Sequence, residues 1–164
     1  MGFTLFPVAY SADIAHCYRN FQLHPSQQQY QLMWYFDLSK TSWENYPKLI
    51  KQKTLIYRGT QSEILVEVCI RKYIANKMEP GVARLILEFY RLVDNMTYSF
   101  RITQDMIKEA KIIREELAKY NLPLKCCFET NDPATPSEAA NTIIYGYTWN
   151  KQKDTLSPHI EHSI

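Results

Sequence analysis

LILEFYRLVDNMTYSFRI, Leu85 to Ile102, reads as two apolar runs, Leu85–Val93 and Met96–Ile102, hinged at Asp94-Asn95. An Asp-Asn pair between strand-like runs is a hairpin signal, because both side chains bond nearby backbone and tolerate positive φ. The pair also sets an acid at the tip of an apolar hairpin. A second acid is placed in a similar way. FPVAYSADI, Phe6–Ile14, alternates loosely and carries no charge until Asp13, so it is expected to be a buried strand ending in a carboxylate.

Working outward, YQLMWYF (Tyr30–Phe36) has period two and predicts a strand. His24-Pro25 breaks the short turn or helix before it. Residues 37–53 hold Ser, Asn, Pro and four Lys, and read as an exposed excursion; Thr54–Arg58 is the expected return strand. Ser62–Met78 predicts a helix capped by Thr60 or Ser62, with Ile64, Leu65, Val68, Cys69 and Tyr73 facing inward and Glu67 and Arg71 paired one turn apart. Thr103–Tyr120 is the clearest helix: Met106, Ala110, Ile113 and Leu117 share a face, Thr103 can cap it, and Asn121 can close it in αL. Leu122–Phe128, Ile143–Trp149 and Thr155–Ile160 complete the strands, the last two joined by a polar turn at 150–154. This order implies an α+β fold: one antiparallel sheet with helices packed on one face.

A chain of 164 residues is expected to be one domain or part of one. Nineteen basic against seventeen acidic residues exclude a strongly basic nucleic-acid module, so any grip on a polyanion must be local. No apolar run approaches a membrane span, and the N-terminus lacks the basic segment of a signal peptide. Cys17, Cys69, Cys126 and Cys127 fit neither a zinc ribbon nor a disulfide framework. Free thiols in a reducing, cytoplasmic or nuclear setting are the expectation. His16, His24, His159 and His162 match no zinc spacing.

Strand ends and hairpin tips can meet at one edge of a sheet. Two carboxylates brought together there repel unless cations join them, and Mg²⁺ is the usual hard-cation partner. That is the arrangement two-metal phosphoryl transfer needs. The ordinary alternative is that Asp13 and Asp94 are satisfied turn residues.

Ser11-Ala12-Asp13-Ile14, then Tyr18-Arg19-Asn20-Phe21-Gln22-Leu23-His24-Pro25 and Tyr30-Gln31-Leu32-Met33-Trp34, resemble the first catalytic block of LTR-retrotransposon reverse transcriptases of the BEL/Pao group. Leu92-Val93-Asp94-Asn95 is similar to that family's YVDD hairpin. Tyr145-Gly146-Tyr147-Thr148-Trp149-Asn150 with Asp154-Thr155-Leu156-Ser157 resembles its hairpin near the palm–thumb junction. The blocks occur in order from about residue 7 to 160. The resemblance implies a reverse-transcriptase palm with part of the fingers, 37–53 being a fingers-like excursion and the thumb absent. It implies an RNA-directed DNA polymerase ancestry with RNA/DNA template-primer as partner. Asp13, Asp94 and the Ile14 carbonyl would be Mg²⁺ ligands. Tyr18 would lie under the sugar of the incoming nucleotide, where its ring would exclude a 2′-hydroxyl; a core aromatic is the alternative.

The departures imply decay. The family's second hairpin acid is Asn95, whose neutral amide binds Mg²⁺ weakly. The pocket-shaping PFG-x-x-x-SP block survives only as Arg58-Gly59-Thr60-Gln61-Ser62-Glu63, and Glu63 would repel phosphates if it points inward. Polymerase activity is therefore expected to be weak or lost. A non-catalytic nucleic-acid-binding or protein-interaction module is the other expectation, with partners covering the exposed palm surface.

Overall fold

The computed structural model describes residues 5–37, 39, 46–57, 59, 61–129, 141–144, 147–150, 153 and 155–159. The main sheet has four antiparallel strands: β1 (Val8–Ile14), β4 (Arg91–Leu92), β5 (Asn95–Phe100) and β6 (Leu124–Glu129), in the order β4-β5-β1-β6. Two smaller sheets flank it in sequence. One pairs β2 (Leu32–Tyr35) with β3 (Lys48–Lys51); the other is β7 (Asn141–Ile144), β8 (Tyr147–Asn150) and β9 (Thr155–Pro158).

Strand alternation gives the main sheet two unlike faces. Tyr10, Ala12 and Ile14 of β1 and Met96 and Phe100 of β5 point to one side and join a single core. That core takes Val66, Ile70 and Ile74 from one helical segment and Ala83, Ile86 and Leu87 from α3 (Val82–Phe89). Met106, Ala110, Ile113 and Leu117 come from α4 (Thr103–Ala118). The helices therefore cover one face, as an α+β palm-like fold requires. The other face carries small buried residues, Ala9, Ser11, Thr97 and Ser99, and ends at Asp13, opposite Asn95 in the register.

The clearest helix forms as its pattern predicts. All four residues of its stripe are buried, Asp105 sits in its first turn, and Asn121 closes it at φ 57°. Thr103 does not cap it: Ile102 precedes the helix and no side chain caps that end. The Thr60 cap and Arg58 lie outside the described residues, and Ser62 is buried inside the first turn of α2 (Ser62–Val68) rather than capping it.

Three expectations are corrected. Leu85–Val93 is not a strand: α3 occupies most of it and only Arg91–Leu92 pairs with β5. Ala83, Ile86 and Leu87 lie at helical spacing, and Glu109 of α4 accepts from the Ala83 amide at 2.8 Å, supplying the cap this helix lacks in sequence. A short apolar run without a clear period is compatible with either element.

The second correction is the inward face of the helix from Ser62. α2 continues as a π-helical segment over Cys69–Ile74 and a 3₁₀ turn over Ala75–Lys77. Ser62, Val66, Ile70 and Ile74, spaced by four, are buried; Ile64 is 64% exposed, and Leu65, Val68 and Tyr73 are exposed too. In a straight helix of about 3.6 residues per turn a spacing of four drifts around the axis. The wider π turn opposes that drift and keeps Ile74 in line with Ile70. The Glu67–Arg71 pair is present, at 3.6 Å.

Third, the return strand is Lys48–Lys51, not Thr54–Arg58. Thr54 makes a single bridge to Gln22, and Leu55 donates to the Phe21 carbonyl at 3.1 Å while its side chain enters the core. Likewise Ile143–Trp149 is two strands, Ile144 pairing with Tyr147. Asn150 and Thr155 then pair across the expected polar turn, and Trp149 is fully buried.

The corrected stripe makes a contrast measurable by chemical denaturation. Ile70→Ala empties a fully buried site and is expected to cost about 2–5 kcal/mol, whereas Ile64→Ala is expected to change stability by about 0.5 kcal/mol or less.

Candidate functional site

Because Ala12 and Ile14 point into the core, Asp13 between them points to the opposite face. It is half-buried at the sheet rim. Asp94 reaches the same rim from the β4–β5 hairpin. Leu92 pairs with Asn95, so the loop is Val93-Asp94 alone. Val93 has φ 56° and Asp94 does not have positive φ, the pattern of a II′ hairpin turn. A β-branched residue in the left-handed region costs on the order of 1–3 kcal/mol. The Ile14 amide donates to the Asp94 carbonyl at 2.9 Å, tying the turn to the end of β1.

A third charge arrives through an irregularity. Asp13 pairs with Cys126 and Ile14 with Leu124, leaving Lys125 of β6 as the extra residue of a β-bulge. Bulges re-aim side chains near sites, and Lys125 lines the same pocket as the two acids. That pocket is an open cleft of about 530 Å³ whose lining includes Asp13, Ile14, Tyr18, Tyr57, Asp94 and Lys125.

Burial is the main force raising the Asp13 pKa; the facing Asp94 adds to it and Lys125 opposes it. The Cys17 thiol at the pocket floor is pushed up to about 12, first by burial and then by Asp94. The Tyr18 phenol is also pushed up to about 12, by burial, then Glu63 and Asp94. Both therefore stay protonated at neutral pH. Tyr18 is only 7% exposed and stacks edge-on against Tyr57 with centroids 5.3 Å apart, so its ring is a core aromatic whose edge borders the cleft. Glu63 is exposed, yet its charge is felt at the Tyr18 hydroxyl.

The structure thus gathers four of the five sequence candidates, Asp13, Ile14, Tyr18 and Asp94, around one cleft. Asn95 stands beside it at the exposed tip, its Nδ2 donating to Asp94 Oδ1 at 3.3 Å. Among the described residues, no three or more His, Cys, Asp or Glu side chains are grouped to hold a metal ion. His24 bonds Ser26 Oγ and His159 bonds Thr148 Oγ1, while His16 turns the chain after β1 at φ 51°. Cys17 and Cys69 are free thiols. No helix among the described residues is long and apolar enough to cross a membrane.

Two residues escaped the sequence reading. Lys125 leaves no signal, because bulge positions are not encoded by a period. Arg91 did leave one: a cation inside an apolar run. Its side chain is fully buried and pairs with Glu67 at 2.9 Å. Burial lowers its pKa and Glu67 counteracts this.

No family model matches the sequence, and no curated protein sequence matches it. Among solved structures, the chain is similar to the apo telomerase of Candida tropicalis truncated from its C-terminal domain, a reverse-transcriptase-related fold. The TM-score is 0.53 at 15% identity over 93% of this chain, which spans 36% of the telomerase chain. At that identity the likeness concerns the fold.

The raised Asp13 pKa fixes the sign of a pH effect. The folded state holds this proton more tightly than the unfolded chain, so stability falls as pH rises from the ordinary carboxylate value of 3.8 through the raised value. Asp13→Asn is expected to raise the unfolding midpoint at neutral pH, with the gain shrinking as pH falls toward 3.8 in a pH series of thermal melts.

Proposed function

We propose that this chain is the palm, with part of the fingers, of a degenerate retrotransposon-derived reverse transcriptase, similar to the BEL/Pao group. Residues 1–164 then form a single partial domain. The observation that carries the reading is the convergence of Asp13 and Asp94 on one cleft at the rim of a palm-like sheet, with Tyr18 at its edge. The order of the BEL/Pao-like sequence blocks supports it.

The donor set fits one hard divalent cation. Burial first and the facing Asp94 second raise the Asp13 pKa, a cost that a cation would relieve, and the Ile14 carbonyl is the further candidate ligand. It does not fit two ions well, because Asn95 brings no charge and already donates to Asp94. When bound, Mg²⁺ supplies charge neutralisation for nucleotidyl transfer. The remaining work would fall to the chain: Asp13 and Asp94 would hold the ion, the Tyr18 edge would exclude a 2′-hydroxyl, and Lys48, Lys51 and Lys53 would lie where a template strand passes. Lys125 competes with any cation for Asp13. Glu63 acts against nucleotide phosphates and Asn95 supplies no charged metal ligand, so the ancestral reaction is weak or lost.

A second reading, a non-catalytic nucleic-acid or protein-interaction module, is favoured by Lys125 standing within the acid cleft while the core is complete. Salt-dependent binding of RNA or DNA by the purified chain supports the nucleic-acid form; a flat response leaves protein partners.

Mn²⁺ titration with primer extension tests the first reading. The wild type is expected to bind Mn²⁺ weakly and extend no primer, while Asn95→Asp is expected to bind about tenfold tighter or more, in line with a regained charged ligand. No gain in Asn95→Asp would remove the polymerase-type geometry. Clear extension by the wild type, lost in Asp13→Ala, would overturn the loss of activity.

A further inference from the structure

Arg91 is the sole charged residue in the buried class among those described, and its side chain is completely withdrawn from solvent. An ion pair alone would need one contact. Arg91 instead spreads its fork over three elements. Nη2 meets the Glu67 carboxylate of α2 at 2.9 Å, Nε donates to the Leu87 carbonyl in α3 at 3.3 Å, and Nη1 donates to the Val93 carbonyl in the hairpin turn.

The third contact falls on the disfavoured residue. Val93 is held at φ 56°, and such a conformation persists only where its surroundings over-determine it. The carbonyls of both central turn residues are fixed, Val93 by Arg91 and Asp94 by the Ile14 amide. We propose that Arg91 is a positioning residue: it holds the Val93-Asp94 turn in its left-handed geometry and so fixes Asp94 against Asp13. A lysine could offer one point charge but not the planar fork that reaches two carbonyls and a carboxylate together. The chemical meaning of this role rests on the polymerase-type reading of the cleft, but the role itself can be measured without any metal.

The test is amide hydrogen exchange on the full chain, well below its unfolding temperature, read at Ile14. In Arg91→Met, Ile14 is expected to exchange about tenfold faster or more while Ile113 and Leu117 in α4 keep their wild-type protection, because only the turn loosens. Arg91→Lys is expected to fall between. Val93→Gly removes the steric penalty at φ > 0, so adding Arg91→Met to it should accelerate Ile14 by no more than about threefold. Should Arg91→Met not fold, Glu67→Gln keeps an acceptor but loosens the anchor, and Ile14 should still exchange faster. Unchanged Ile14 protection in a folded variant would overturn the proposal. So would equal acceleration of the α4 amides, or the same effect of Arg91→Met with and without Val93→Gly. Failure of every variant to bind Mn²⁺ would count against the polymerase-type reading alone and leave this measurement standing.

Discussion

The pairing of β1 with β5 is the constraint on which the rest of the molecule hangs. Its register sets Asp13 opposite Asn95 and Ala12 opposite Met96. A slip of one residue would move either the acid into the core or the core methionine out of it, depending on which strand shifts. The same pairing brings the Asp94 carbonyl within reach of the Ile14 amide. Acids that lie about eighty positions apart in sequence thus become neighbours through backbone bonds, to which Arg91 adds its hold on the turn. The helices then secure this register by filling the face on which Tyr10, Ala12, Ile14 and Met96 project.

Much of this was legible because it follows from period. The α4 stripe, the charge-free approach to Asp13 and the acid at the hairpin tip need only alternation and turn chemistry. What stayed hidden has physical causes. The helix from Ser62 carries apolar residues on two sides, and only packing selects Val66, Ile70 and Ile74 over Ile64, Leu65 and Val68. The first half of the hairpin stretch became α3 because its cap comes from Glu109, twenty residues beyond its end. Lys125 reaches the cleft through a strand irregularity that no single-sequence pattern announces. Arg91 was visible as an anomaly, a cation among apolar residues, and anomalies of that kind often report a specific buried role.

The cleft and the core show different degrees of completeness. The core is continuous, from Tyr10 to Leu122, and includes a fully buried face on every long helical element. The cleft is charged but uneven: two acids and a lysine line it, with the Asn95 amide beside it and a glutamate nearby. Folding requires the first, whereas the Asp13 carboxylate of the second costs stability at neutral pH, so the two can diverge. Protonated Cys17 and Tyr18 add shape to the cleft but no reactive anion.

The bulge that delivers Lys125 has a consequence for the molecule at rest. An acid pair that depends on dissolved ions leaves its fold tied to their supply, since whatever binds only the native form stabilises it by mass action. Here part of the neutralising charge is covalently attached, on β6. That attached charge opposes the rise of the Asp13 pKa without reversing it.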